Sequence, residues 1–417
     1  MSQVILFYRY VEILDEEQNM FIDIWIKKCT ELEILGRILV ASEGVNGTLA
    51  GTPQAIESFI KFFVSLDLRF EKIDWKFSSG TGSLPFLNLT IKKVKEIVST
   101  GQIGSFINQR VEFDSQTFGG LSGTGQHLSP EQFHSAVEEK DGVLLDIRNE
   151  YEFGIGHFEG AVGLGTFTYS ETFTALDQLL ERNHPDEPVV SKPIYMYCTG
   201  GIRCEKASAY LCAKGYQNVY QLEGGIHRYL EKFPDGGVFK GKNFVFDRRV
   251  AVPPLSVAQD EDGGKEGREK VGRCIECQKP FDKYIGTCVC TVCRMPLLVC
   301  PSCSESNHSR LDEFHCSRHR DLKDLYFTVL DGFDRQQLEQ QKNGLEELLA
   351  IALMVGKEKD ITTKGLVSSN SKNRRRTLRR QISRITDRLS IIDQSQDSSP
   401  YPDASRGTSR GNWGRWR

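Results

Sequence analysis

The chain has 417 residues, 39% of them hydrophobic, and a formal net charge of −3. That length predicts two or three domains. No apolar run approaches the length of a membrane span, which excludes a transmembrane helix, and the near-neutral balance excludes a global attraction to nucleic acid. The charge is uneven: from Lys364 onward thirteen Lys/Arg stand against four Asp, about +9, leaving about −12 elsewhere. Eight of the twelve cysteines fall between Cys274 and Cys316, a crowding that argues for metal over disulfides.

The first residues, Val4-Ile5-Leu6-Phe7-Tyr8, read as a strand. No signal or transit peptide is therefore expected, and a cytoplasmic location is. An apolar-periodic helix is predicted over Glu16–Leu35, a strand over Arg37–Ser42, a turn at Glu43–Gly47 and a returning strand at Thr48–Ala50. Thr52-Pro53 reads as an N-cap with proline at the first helical position. The helix behind it carries Ile56, Phe59, Ile60, Phe63 and Val64 on one face. Strands are predicted near Asp74–Phe77 and Leu87–Lys92. The order β-α-β-β-α-β is that of a ferredoxin-like α+β domain, residues 1–98. Lys72, Lys76, Lys92, Lys93 and Lys95 would give it a basic edge, or only a solvated face.

Residues 99–127, rich in Gly, Ser, Thr and Gln, read as a linker. Gly119–Gly125 lacks the preceding strand and the Lys-Ser/Thr ending of a phosphate loop. A second domain, 128–252, opens with Ser129-Pro130-Glu131-Gln132, an N-cap followed by proline with Gln at the capping-box position. A strand over Val143–Ile147, a helix near Phe173–Arg182, a strand over Pro193–Tyr197 and another over Gln217–Leu222 alternate as in a parallel α/β sheet.

The chemistry is concentrated at Cys198-Thr199-Gly200-Gly201-Ile202-Arg203-Cys204. Cys198 stands where a strand turns into a helix, the carboxyl end at which such sheets carry their sites. Gly200 and Gly201 let the backbone curl so that N–H groups point at the sulfur. The helix start and Arg203 add positive potential, which favours the thiolate, the nucleophilic form. Gly215 is placed to cap the helix. The alternative is a buried structural thiol. A phosphatase loop is one residue longer between Cys and Arg, so this smaller cradle suits a single sulfur or oxygen atom. Cys204 is a candidate resolving cysteine or a structural thiol.

The loop resembles that of rhodanese-type sulfurtransferases. Asp146-Ile147-Arg148 with Glu150-Tyr151-Glu152-Phe153, and Leu222-Glu223-Gly224-Gly225-Ile226, are similar to the remaining signatures of a rhodanese domain. The longer string Cys198–Ala207, with Ala41-Ser42-Glu43-Gly44-Val45-Asn46-Gly47 upstream and Phe244-Val245-Phe246-Asp247-Arg248-Arg249 downstream, resembles the rhodanese-type tRNA uridine hydroxylases, which make 5-hydroxyuridine at the wobble position. The resemblance spans roughly residues 4 to 320. It implies Cys198 as the active-site cysteine, Asp146 and Arg148 as supporting residues, and an N-terminal domain that helps hold tRNA. The basic tail after about Gly356 lies outside the bacterial pattern and suggests a eukaryotic-type member.

A polar linker, 253–272, leads to a cysteine-rich module over 273–325: Cys274-x2-Cys277, Cys288, Cys290-x2-Cys293, Cys300-x2-Cys303 and Cys316-x2-His319. Such pairs present two ligands to one Zn²⁺, and fully ligated sites are structural. The sequence is too poor in apolar residues to fold without metal. Nine candidates for eight positions leave Cys288 or Cys290 over; the family resemblance implies a Cys-x4-Cys pair, Cys288 with Cys293. His308 and His315 are outside candidates.

A helical segment, 326–356, carries Leu338, Leu345, Leu348, Leu349 and Leu353 near helical spacing over Asp331–Val355, and 357–417 reads as a disordered basic tail. Leu378, Ile382, Ile385 and Leu389 would align if the cluster Arg374–Arg380 became helical. The tail suits sequence-independent phosphate contacts, with nuclear import, a membrane surface or a calmodulin-like partner as alternatives. The leading expectation is a tRNA-modifying enzyme that hydroxylates a wobble uridine through Cys198. One alternative is a sulfurtransferase that takes sulfur from a donor such as thiosulfate as a Cys198 persulfide. The other is a zinc-stabilised module that only binds. The flanking domains favour RNA.

Overall fold

The computed structural model describes residues 2–80, 84–183, 192–254, 270–286, 288–307, 314–320, 330, 333–354 and 371–395. Residues up to Arg273 form one compact unit and those from Cys274 a second.

In the first unit the chain begins β1 (Gln3–Tyr10), α1 (Asp15–Glu31), β2 (Leu35–Ala41), β3 (Gly44–Gly51), α2 (Pro53–Leu66), β4 (Lys76–Ser79) and β5 (Leu89–Lys93). The sheet order is β4-β1-β3-β2-β5, antiparallel except where β5 runs parallel beside β2. This is the expected ferredoxin-like split with one added edge strand. Thr52 caps α2 by accepting from the Ala55 N–H at 3.1 Å. Strand alternation sends Ile5 and Phe7 to the helix face, where they pack with Trp25, Phe59 and Phe63. It sends Tyr8 and Tyr10 to the opposite face, where they meet Leu121 and Ile202.

Residues 99–127 are more than a linker. They form α3 (Gly104–Asn108) and end in β6 (Gln126–Leu128). Between these, Arg9 donates to the carbonyls of Ser115, Thr117 and Phe118, which pins the segment to β1. Composition missed this because the partners are backbone carbonyls, which any sequence supplies.

The chain continues α4 (Pro130–Glu139), β7 (Val143–Asp146), α5 (Glu150–Phe153), β8 (Gly156–Phe158), β9 (Val162–Gly163), α6 (Thr172–Asn183), β10 (Ile194–Tyr197), α7 (Ile202–Ala213), β11 (Val219–Leu222), α8 (Gly225–Lys232), β12 (Phe239–Gly241), β13 (Asn243–Phe244) and β14 (Ala251–Val252). Ser129 and Gln132 form the expected capping box on α4. The second sheet, β6-β11-β10-β7-β9, is parallel throughout, with one core on each face. Ile194, Met196 and Cys198 face α6 and α7; Tyr195 and Tyr197 face α4 and α8. Gly215, at φ +96°, closes α7 as expected.

In the second unit a cysteine-rich segment containing α9 (Pro301–Asn307) is followed by α10 (Arg335–Met354) and α11 (Ser371–Ser395). The helical alternative for the basic cluster is the one the fold adopts. Leu378 and Ile385 of α11 are buried against Leu338 and Leu345 of α10, with Ile382 and Leu389 packed beside them. An apolar stripe that finds a partner helix outweighs a composition typical of disorder. The linker expected at 253–272 falls largely, and the tail beyond 395 wholly, outside the described residues.

Candidate active site and candidate metal centres

Cys198 stands directly beyond β10, at the carboxyl end of the parallel sheet, and is buried. The loop after it is built by opposing sets of backbone groups. The Ile226 N–H donates to the Cys198 carbonyl at 3.0 Å and the His227 N–H to the Thr199 carbonyl at 3.1 Å. The start of α8 thus takes the loop's carbonyls, and its N–H groups turn inward. The Gly201 N–H meets Cys198 Sγ at 3.1 Å. Gly201 sits at φ +101°, and a Cβ there would lie 2.9 Å from the Tyr8 hydroxyl. Gly225, at φ +65°, has the Cys198 carbonyl 2.6 Å from where a Cβ would stand. Both positions require glycine.

Burial opposes ionisation of Cys198, but the Cys204 thiol, the Arg203 charge and the loop N–H groups outweigh it and bring the thiol down to about 5. Cys204 is buried and driven the other way, by burial and by donating to Cys198. It is therefore a hydrogen-bond donor to the Cys198 sulfur.

Arg203 does not point freely at the sulfur. Its guanidinium forms a two-pronged pair with Glu152, 2.7 Å on each prong, and reaches Thr199 Oγ1 at 3.2 Å. Glu152 is buried in α5 and was not foreseen as part of the site. The only signal was its place in the Glu150–Phe153 run. Ile202 contributes its carbonyl, which accepts from the Tyr10 hydroxyl at 3.3 Å.

Asp146 and Arg148 are fully buried and bonded to each other at 2.6 Å. Arg148 also donates to the Gly156 carbonyl and lies 5.7 Å from the Tyr197 ring centroid. They brace the strand end behind Cys198 and do not face its sulfur.

The sheet face of the N-terminal domain closes over this loop. Leu6 lies against Gly200, Tyr8 against Gly201, and Tyr8 donates to Glu205 at 2.9 Å. Glu205 also bonds His127 at 2.9 Å and Gln221 at 3.2 Å. Lys206 pairs with Glu43 at 2.7 Å and bonds Asn108. Arg249 of the 244–249 string donates to Ser78 and Ser79 of β4. Of the lysines read as a basic edge, Lys76 is instead completely enclosed. It lies on the face that meets Cys198's loop, which no count of charges reveals.

Seven of the eight cysteines between Cys274 and Cys316, with His319, gather into two groups, Cys274, Cys277, Cys300 and Cys303, and Cys290, Cys293, Cys316 and His319, with ligand atoms within 4.8 Å of one another in each. Each group can hold one metal ion. Cys277 and Cys300 sulfurs are 3.7 Å apart, Cys293 and Cys316 sulfurs 3.8 Å. A tetrahedron of thiolates ~2.3 Å from a metal has edges of roughly 3.8 Å. The pairs interleave, first with third and second with fourth.

Cys290, not Cys288, belongs to the second group. The Cys290–Cys293 turn repeats the Cys274–Cys277 turn: the Arg294 N–H returns to the Cys290 carbonyl as Gln278 does to Cys274, and both residues take positive φ. Cys288 precedes that turn, its sulfur 3.8 Å from Ser304 Oγ. The implied Cys288–Cys293 pairing is therefore corrected. His315 contacts Thr291 and lies outside both groups; His308 falls outside the described residues.

A parallel sheet with a cysteine loop at its carboxyl edge, cradled by N–H groups, defines a rhodanese-type domain. Family models agree: residues 129–232 match the Rhodanese-like domain, 2–97 the UPF0176 acylphosphatase like domain and 240–319 the Rhodanase C-terminal region. A tRNA uridine(34) hydroxylase of Listeria welshimeri is 36% identical over 304 residues, covering 69% of this chain and 87% of that protein. One from Leptospira interrogans is 36% identical over 306 residues, covering 72% and 73%. Rhodanese-like domain-containing protein 6 of Arabidopsis thaliana is 36% identical over 337 residues, covering 76% of this chain; the chain spans about half, 53%, of that plant protein. The chain belongs to the rhodanese-domain family of the tRNA uridine(34) hydroxylases.

Proposed function

We propose that this chain hydroxylates the wobble uridine of tRNA, with Cys198 as its reacting group. The observation that carries the reading is the Cys198 sulfur, met by the Gly201 N–H at 3.1 Å beneath a second domain and drawn toward the thiolate, against its burial, by Cys204 and Arg203. A sulfur-transfer enzyme needs only the loop; an enzyme acting on a base needs walls to receive it. An anticodon-loop base can be splayed from its stack into such a site. The reaction turns C5–H into C5–OH, a two-electron oxidation, so both the oxygen atom and the oxidising equivalents come from an oxidant of the dioxygen or peroxide class outside the chain. The chain's part is to bring a thiolate to the base. Thr199, Gly200, Gly201 and Ile202 shape the cradle, Arg203 supplies the cation, and Cys204 is the resolving thiol should Cys198 be oxidised.

The metal in both clusters is taken to be zinc, since thiolate-rich four-ligand sets with no open position suit it and serve structure. The family relatives carry the activity in their names, and tRNA is the partner proposed for this chain. No helix among the described residues is long and apolar enough to cross a membrane; a cytoplasmic location is proposed together with the tRNA substrate, with the nucleus and organelles as alternatives.

The test is a tRNA-binding titration of the full chain at two salt concentrations, alongside a thiosulfate-to-cyanide assay. Salt-sensitive tRNA binding with weak sulfur transfer is expected. A chain that ignores tRNA and transfers sulfur briskly is a sulfurtransferase instead.

A further inference from the structure

Lys76 opens β4 on the sheet face turned toward Cys198's loop, and none of its surface is exposed. Enclosing an ammonium is costly unless it is paired or used. Its Nζ lies 2.7 Å from Asp74 Oδ2 and 5.0 Å from the Tyr8 ring centroid. Its stem runs along the loop: a Cβ on Gly200 would stand 3.9 Å from Lys76 Cδ. Asp74 is shared with Arg228, whose Nε it holds at 2.9 Å, and Arg228 reaches Glu231 near the surface. Arg228 belongs to α8, the helix whose first N–H groups hold the Cys198 and Thr199 carbonyls. The ladder Glu231, Arg228, Asp74, Lys76 therefore runs inward from solvent and ends on a cation at the cysteine loop.

An interface anchor alone would be satisfied by Asp74 and Arg228, which already join the two domains. Lys76 adds a charge beside the loop that carries Cys198. The other groups facing Cys198 are Arg203 and Cys204 from α7, Tyr8 from β1, and Tyr169 from the turn before α6. His227 stands near Lys76, held neutral by burial and by the surrounding cations. We propose that Lys76 is a positioning residue for the Cys198 centre: the N-terminal domain delivers its ammonium to the loop, where it holds the sulfur in its anionic form. The N-terminal domain is then part of the reacting centre as well as a surface for RNA. This rests on the reading of Cys198 as the reacting group.

The experiment alkylates the full chain with iodoacetamide from pH 4 to 8 and follows the Cys198 peptide by mass spectrometry, in wild type, K76M and K76R. In wild type the rate should be half-maximal near pH 5, where the thiol titrates. The Cys198 charge acts on the Lys76 ammonium, and a nearby opposite charge favours the charged form, by about one unit of titration where the coupling is close. K76M should therefore react about tenfold more slowly well below the midpoint and at the same plateau above it. K76R should restore the wild-type midpoint. A K76M profile that overlays wild type overturns the inference. A wild-type midpoint in the ordinary thiol range instead overturns the reading of Cys198. If K76M does not fold, the coupling is read from the other side, because it is reciprocal. In ¹⁵N-lysine NMR, C198S should lower the titration point of the Lys76 ammonium; an unchanged titration overturns the inference.

Discussion

Lys206 and Glu43, 163 residues apart, form a 2.7 Å ion pair enclosed between the N-terminal sheet and α7. The two residues belong to two of the strings that mark the family, Ala41–Gly47 and Cys198–Ala207. A third, Phe244–Arg249, reaches β4 through Arg249. What reads in sequence as three separate signatures is, in the fold, one seam around the cysteine loop.

That seam has an energetic consequence. Removing one partner of an enclosed pair leaves a bare charge and costs about 3–5 kcal/mol. Burial already pushes the Glu43 carboxyl upward. E43Q and K206M should each lower the melting temperature of the unit ending at Arg273, and the double variant should lose less than the sum. Thermal unfolding of the four proteins measures this; additive losses would mean the pair is not coupled.

Cys198 should be labelled before Cys29 and Cys212 at pH 6.5. Its thiol lies near 5, whereas burial pushes Cys29 up to about 12. The folded value lies below the ordinary thiol value, so its contribution to stability is present above that ordinary value and is lost as pH falls through about 5. The stability advantage of wild type over C198S should therefore grow as pH rises from 5 toward 9. Peptide mapping after brief alkylation and melting curves across that range check both statements.

The metal groups make a prediction that separates neighbouring cysteines. The full chain should hold two zinc ions, and C288S should keep both. C290S should bind fewer than two, because Cys290 is a member of the second group. Since the pairs interleave, chelation should unfold 274–319 together and spare the unit ending at Arg273. Elemental analysis of reduced protein gives the counts; a C288S protein that loses an ion would return Cys288 to the ligand set.

Much of this site is legible along the chain because its parts are local. Strand, two glycines, helix start and Arg203 lie within a few residues of Cys198, and backbone geometry follows from them. The Ser129 cap is local in the same way. What the chain hides is contact at long range. Nothing near Lys76 distinguishes it from Lys72, yet one is enclosed and the other bonds Gln116 in an exposed setting. The segment 99–127 hides its packing because Arg9 binds its carbonyls and not its side chains. Cys288 and Cys290 offer equivalent ligands, and only the turn that starts at Cys290 separates them. The basic helix α11 needed α10 beside it before its apolar stripe outweighed its charge.

The most direct measurement of the central claim is mass spectrometry of tRNA nucleosides from cells lacking this protein, complemented with wild type or with C198S. The account predicts that 5-hydroxyuridine at the wobble position disappears without the protein, returns with wild type and does not return with C198S. Unchanged wobble uridines in the cells lacking it, or full restoration by C198S, would contradict it.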